Sequence, residues 1–190
     1  MKKLIKKHIS EHDSVLNSMS ELIESIEKIS QILISCLKND GTIFWCGNGG
    51  SASDSEHLAA ELVGRFVNER KSLKSIALSA NSALITSIAN DYGYEHIFSR
   101  QVDGLGSKDD VLIGISTSGN SQNILNAYQA ANNKGMYTIG FIGKGGGKTP
   151  SIVKQSIIIP SNSTARIQEM HILIGHIICD LIEEGLNLKH

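Results

Sequence analysis

Between residues 42 and 160 the chain alternates short, almost wholly apolar runs with longer stretches of helical periodicity, and few folds accommodate that alternation. The runs are Thr42–Cys46, Ser75–Leu78, Val111–Ile115, Thr138–Ile142 and Ile157–Pro160. Each is too short for a helix, and the unbroken apolar character is that of strands buried on both faces. Helical stretches separate them around Ala52–Gly64, Ala83–Asn90, Glu95–Leu105 and Ile124–Asn133, and a long one closes the chain from Thr164 to Gly185. Strands joined by crossover helices pair in parallel, the crossovers are right-handed, and helices therefore cover both faces of the sheet. The expected fold is α/β: a three-layer αβα sandwich with a five-stranded parallel sheet, flavodoxin-like in type.

Ahead of the first run, Leu4, Ile9, Leu16, Met19, Ile23, Ile26, Ile29, Leu33 and Leu37 recur at helical spacing until Asn39-Asp40-Gly41 ends the pattern. This predicts an amphipathic N-terminal helical segment over residues 1–39, set against an αβα core over 40–190, the whole forming one domain. The amphipathic face is suited to covering the sheet or packing in a subunit interface.

Charge and cysteine content exclude several partners. The net charge of −1 gives no electrostatic footprint for nucleic acid. Lys2, Lys3, Lys6 and Lys7 are followed by Glu11, His12 and Asp13 rather than by the apolar centre of a signal peptide, and no apolar run is long enough to cross a bilayer. Cys36, Cys46 and Cys179 have no paired spacing and read as buried thiols in a reducing compartment. A cytoplasmic location is the expectation, with neither membrane nor nucleic-acid partners.

Ligands in open α/β sheets sit outside the carboxyl ends of the strands, which draws attention to three loops. Gly47-Asn48-Gly49-Gly50-Ser51-Ala52 fits a loose dinucleotide fingerprint, but Leu78-Ser79-Ala80 offers no carboxylate for a ribose at the end of the second strand. A tight turn without ligand remains the alternative there. Gly143 to Thr149 looks like a P-loop but is one residue short, and Pro150 interrupts it; it reads as a mobile glycine loop. The third loop, Ser116-Thr117-Ser118-Gly119-Asn120-Ser121, joins a strong strand to a helix start. Backbone N–H groups at a helix N-terminus attract a phosphate, and small hydroxyls add donors without bulk. An N-cap alone needs only one such residue, so the run of hydroxyls favours a phosphate. With no lysine in it, the loop suits a small sugar phosphate as well as a nucleotide.

Candidate chemistry lies on two helices. His57 and Glu61 are four apart and share a face. Gln168, Glu169, His171 and His176 lie on the closing helix, where Gln168 and His176 differ by about 80° of rotation. His57, Glu61, Gln168 and His176 form a possible four-ligand set for a divalent metal, although Gln is a rare ligand. A hydrogen-bonded core histidine at position 176 and a solvated His57/Glu61 pair are the plainer reading, and residue chemistry alone leaves both open.

The ordered set Cys46-Gly47-Asn48-Gly49-Gly50-Ser51, His57, Glu61, Asn90-Asp91-Tyr92-Gly93, Gly114 to Ser121, Arg166-Ile167-Gln168-Glu169 and His176 closely resembles the phosphoheptose isomerases of the sugar isomerase (SIS) domain class, over essentially the whole chain. The resemblance implies an aldose–ketose isomerase that converts sedoheptulose 7-phosphate to D-glycero-D-manno-heptose 7-phosphate through an enediol(ate). That reaction opens bacterial ADP- and GDP-heptose synthesis for lipopolysaccharide, capsule or S-layer glycans. It implies that Asn48, Gly49, Gly50, Ser51, Asn90 and Asp91 line the substrate with Glu61 and Gln168, and that Ser116, Thr117, Ser118 and Ser121 hold its phosphate. By the same resemblance His57, Glu61, Gln168 and His176 bind Zn2+, one per subunit, Glu61 and His176 form the acid–base pair, and the assembly is a homotetramer. One departure stands out: Ala165 replaces the acidic residue that often precedes the Arg-Ile-Gln-Glu run. The rival reading is a non-catalytic SIS adaptor that binds a protein such as a replication initiator; retention of all four metal-type residues argues against it. A hexosamine-phosphate isomerase shares the phosphate loop but fits this short chain and its His/Glu/Gln/His set less well.

Overall fold

The computed structural model describes residues 1–188; residues 189 and 190, included in the expected core, lie outside the described residues. Five strands, β1 (Ile43–Gly47), β2 (Ser75–Ala77), β3 (Val111–Ser116), β4 (Tyr137–Ile142) and β5 (Gln155–Ile158), form one all-parallel sheet in the order β2-β1-β3-β4-β5. Ile43 stands opposite Val111, and Val111 opposite Tyr137, so the three central strands start level.

Alternation along the strands sorts the core into two layers, because successive side chains point to opposite faces. Ile43, Trp45, Val111, Ile113, Ile115, Ile139 and Phe141 face α2 (Ile23–Lys38), α3 (Gly50–Val63) and α7 (Thr164–Gly185). Phe44, Cys46 and Leu112 face α4 (Ser82–Tyr92), α5 (Ser99–Leu105) and α6 (Gln122–Asn133). All three cysteines are free and buried, as expected of core thiols. No helix among the described residues is long and apolar enough to cross a membrane.

The N-terminal periodicity conceals a break. It divides into α1 (Lys2–Asn17) and α2, joined by one 3-10 stretch at Ser18–Leu22. There Ser18 Oγ donates to the Val15 carbonyl at 2.6 Å and Ser20 Oγ to that of Asn17 at 3.3 Å, so side chains compete for the carbonyls that continue a helix. α2 buries Ile26, Ile29 and Leu33, whereas α1 buries none of its residues. α1 is tied to α7 by polar contacts: His12 Nδ1 lies 2.8 Å from Glu169 Oε2, and Arg166 bonds both Glu169 and the His8 carbonyl. The expected helix Glu95–Leu105 is likewise two pieces, a 3-10 turn at Tyr94–His96 and then α5. The last strand ends at Ile158 rather than at Pro160, because its partner β4 ends at Ile142, which stands opposite Ile158.

The chain passes from β1 outward to β2, then returns to the other side of β1 for β3. Strand order therefore reverses between β1 and β3, and a crevice opens at their carboxyl ends.

Candidate active site

Both loops singled out on sequence emerge at that crevice. Ser116, the last residue of β3, is buried, and its Oγ accepts from the Gly119 N–H at 3.1 Å. The same hydroxyl lies 3.5 Å from Ser118 Oγ and 3.4 Å from Ser121 Oγ, so three of the four hydroxyls of the loop converge. Ser121 precedes α6 without its side chain capping the helix, and its hydroxyl turns to Ser116 instead. Small hydroxyls gathered around a helix N-terminus suit a phosphate dianion held by dipoles rather than by charge.

The stretch from Gly143, expected to be a mobile glycine loop, is instead a packed brace. The N–H groups of Lys148 and Thr149 both donate to the Gly119 carbonyl, at 3.1 and 3.2 Å, and Thr149 Oγ1 adds a third bond at 3.0 Å. Gly119 has φ +63°, and a β-carbon there would stand 2.0 Å from the Gly146 carbonyl oxygen, so both the backbone shape and the contact demand glycine. The two loops are remote in sequence, which is why composition alone suggested mobility.

The chemical groups sit on α3 and α7. These helices lie side by side and run in the same direction: Gln168 packs on Gly50, and Gly175 on Leu58. His57 Nε2 is 2.9 Å from His176 Nε2 and 3.1 Å from Glu61 Oε1. One ligand atom from each of His57, Glu61 and His176 lies within 4.8 Å of the others. Two imidazole nitrogens facing one another share at most one proton, and a carboxylate adds only lone pairs. A convergent N, N, O donor set of this kind fits a divalent cation. Phe66 stacks on His176, with ring centroids 5.6 Å apart at 24°, and so fixes the imidazole plane.

Gln168 lies near the start of α7, where its Nε2 donates to Asp54 Oδ1 at 3.3 Å. Asp54 Oδ2 is buried with no hydrogen-bond partner, and burial raises its carboxyl above the usual carboxylate range, opposed by Gln168, His57 and His176. Asp54 was absent from the sequence reading, although it stands three residues before His57 on the same helical face. Glu169 and His171, the other two α7 residues singled out on sequence, point elsewhere. Glu169 faces α1, and His171 is fully buried against β4, its Nε2 3.3 Å from the Ile142 carbonyl. Burial lowers the His171 imidazole to about 4 against the opposing pull of that hydrogen bond, so it is neutral near pH 7.

The turn after β1 places Ser51 in the core, its N–H bonded to the Asn48 carbonyl at 3.0 Å, and leaves Gly49 and Gly50 exposed. Asn90 and Asp91 end up at the exposed end of α4, where Asn90 Nδ2 donates to Asp91 Oδ1 at 2.8 Å. Asp91 lines a cleft with Tyr92 and Arg100, and none of His57, Glu61 and His176 lines it. Ala165 is exposed at the start of α7.

Comparison with known proteins bears on the whole chain. The SIS domain family matches residues 7–143. A phosphoheptose isomerase of Helicobacter pylori (strain P12) is 52% identical over 188 residues, covering 98% of both chains. One from Campylobacter jejuni subsp. jejuni serotype O:6 is 48% identical, with 96% of this chain and 98% of that one covered. The solved structure of phosphoheptose isomerase GmhA from Neisseria gonorrhoeae superposes with a TM-score of 0.92 at 40% identity, over 96% of this chain and 98% of that one.

Proposed function

The chain belongs to the SIS domain family and, within it, to the phosphoheptose isomerases, and on that premise we propose that it converts sedoheptulose 7-phosphate to D-glycero-D-manno-heptose 7-phosphate in the cytoplasm, as the first step of heptose synthesis. The observation that carries the reading is the convergence of His57, Glu61 and His176 on α3 and α7, α3 being the helix that follows the turn after β1. The names of its relatives favour turnover over the adaptor reading.

Ser116, Thr117, Ser118 and Ser121 seat the phosphate, and the turn Asn48 to Ser51 borders the sugar. Ketose-to-aldose conversion moves one proton from C1 to C2, and a single carboxylate on one side of the sugar performs both halves of the transfer. Glu61 is that base, and His176 moves protons at the sugar oxygens. His57, Glu61, Gln168 and His176 would hold Zn2+, which when bound supplies a Lewis acid that stabilises negative charge on the sugar oxygens. Glu61 thus has two duties that oppose one another, since a carboxylate shared with a cation is a weaker base.

Turnover of sedoheptulose 7-phosphate with and without a chelator, followed by metal analysis, tests this. The aldose phosphate should form, activity should fall at least about tenfold on chelation, and added Zn2+ should restore it. Absence of the aldose product from zinc-loaded protein would sink the assignment.

We also propose a homotetramer. Leu4, Ile5, Ile9 and Leu16 are exposed on α1, an amphipathic helix with no buried residue, and a second copy is the simplest partner for such a face. Light scattering should give four times the chain mass, and a monomer at micromolar concentration would refute it.

A further inference from the structure

The turn after β1 and the serine loop after β3 are joined by a hydrogen-bonded clasp whose polarity is fixed by the backbone. The Ile124 N–H donates to Asn123 Oδ1 at 3.0 Å, so that atom is the amide oxygen. Asn48 Nδ2 then donates to the same oxygen at 2.9 Å, and Asn123 Nδ2 donates back to Asn48 Oδ1 at 2.8 Å. The Tyr94 hydroxyl completes the clasp by donating to Asn48 Oδ1 at 3.1 Å. Asn126 Nδ2 holds the neighbouring Glu95 carbonyl at 2.9 Å, which keeps the Tyr94 segment against α6. Asn123 is 3% exposed, so its amide is bonded in a protected place, and it follows the serine loop by only two residues.

We propose that Asn123 and Tyr94 are positioning residues: through Asn48 they set the distance between the sugar-bordering turn and the phosphate loop, and so where C1 and C2 stand once the phosphate is seated. This rests on the isomerase reading given above. The phosphate supplies most of the affinity at one end, whereas the proton transfer at the other end tolerates little displacement. Loosening the clasp therefore lowers kcat far more than it weakens binding.

The test is steady-state kinetics on sedoheptulose 7-phosphate, with inorganic phosphate as a competitive inhibitor, for the wild type, Tyr94→Phe, Asn123→Asp and the double variant. Tyr94→Phe removes one hydroxyl and should lower kcat about fivefold. Asn123→Asp keeps the acceptor for Ile124 but turns an oxygen toward Asn48 Oδ1, and should lower kcat about 30-fold. KM and the inhibition constant for phosphate should stay within about twofold. Both changes act on one atom, so the double variant should fall short of the product of the two. Wild-type kcat in both variants, an equal loss of phosphate affinity, or fully multiplicative effects would each overturn the proposal. If Asn123→Asp does not fold, Tyr94→Phe decides alone, because Tyr94 is 56% exposed. A wild type without turnover overturns the isomerase reading and this inference together, whereas an active wild type matched by its variants overturns the clasp only.

Discussion

Glu61→Gln should lower turnover of sedoheptulose 7-phosphate by at least about 100-fold. The substitution keeps the volume of the side chain and an oxygen able to face a cation, and removes the basicity that proton transfer requires. The position is well prepared for such a test. Glu61 is in the last turn of α3, its side chain is 21% exposed, and its backbone carbonyl accepts from Arg70 Nη2 at 2.7 Å. A change at the carboxylate therefore leaves its backbone held. The phosphate end of the site is untouched, so KM should move little while kcat falls. Metal analysis of the same variant separates the two duties of Glu61: retained metal with lost turnover identifies the base, and lost metal identifies the ligand. Turnover within a few-fold of wild type would remove Glu61 from the proton transfer.

The second large effect concerns stability. Arg70 and Glu183 form a buried ion pair, Nε to Oε1 2.8 Å, with side chains 1% and 0% exposed. Glu183 also accepts from the backbone N–H groups of Phe66, Val67 and Asn68 and from the Asn68 amide, and Arg70 donates to the carbonyls of Leu62 and Glu61. The pair thus fastens the end of α3, and the segment carrying Phe66, to α7. Glu183→Gln leaves the guanidinium buried without its counter-charge and should cost about 3–5 kcal/mol in denaturant unfolding; a loss below about 1 kcal/mol would show that the pair is not what holds this segment. Burial by itself would raise the Glu183 carboxyl, but bonds from the Asn68 N–H, the Asn68 amide, Arg70 and Phe66 outweigh it and hold it at about 2. A carboxyl depressed in the folded state contributes its stability above the unfolded value and loses it as pH falls toward the folded one. About 3 kcal/mol should therefore disappear between pH ~4.5 and ~2 in the wild type, and that acid-sensitive share should be missing from Glu183→Gln.

How much of this was legible in the sequence depends on the range of the interaction. β3 and β4 are continuous apolar runs, and their place in a parallel sheet follows from composition and the intervening helices. β2 was faint because only three residues, Ser75–Ala77, pair at the sheet edge. The break at Ser18–Leu22 was hidden because one 3-10 stretch barely disturbs apolar spacing. Within the site, the serine loop announced itself through its density of hydroxyls, and His57 with Glu61 through helical spacing. Asp54, Asn123 and Arg70 did not, because a polar residue on a helix or loop ordinarily faces water, and only tertiary packing turned these three inward. The brace from Lys148 and Thr149 onto Gly119 was illegible for the same reason: it joins segments with a strand and a helix between them.

The pairing of α3 with α7 has a consequence for the order in which the chain matures. His57 and Glu61 emerge from synthesis long before His176, and α3 and α7 approach closely where Gly175 meets Leu58 and Gly50 meets Gln168. The helix that carries His176 also holds Gln168 and Glu183, so one late docking event closes the metal-type cluster, seats Asp54 and neutralises Arg70. A nascent chain that has emerged only as far as β5 lacks Gln168, His176 and Glu183, so its metal-type cluster is incomplete and Arg70 has no counter-charge from α7.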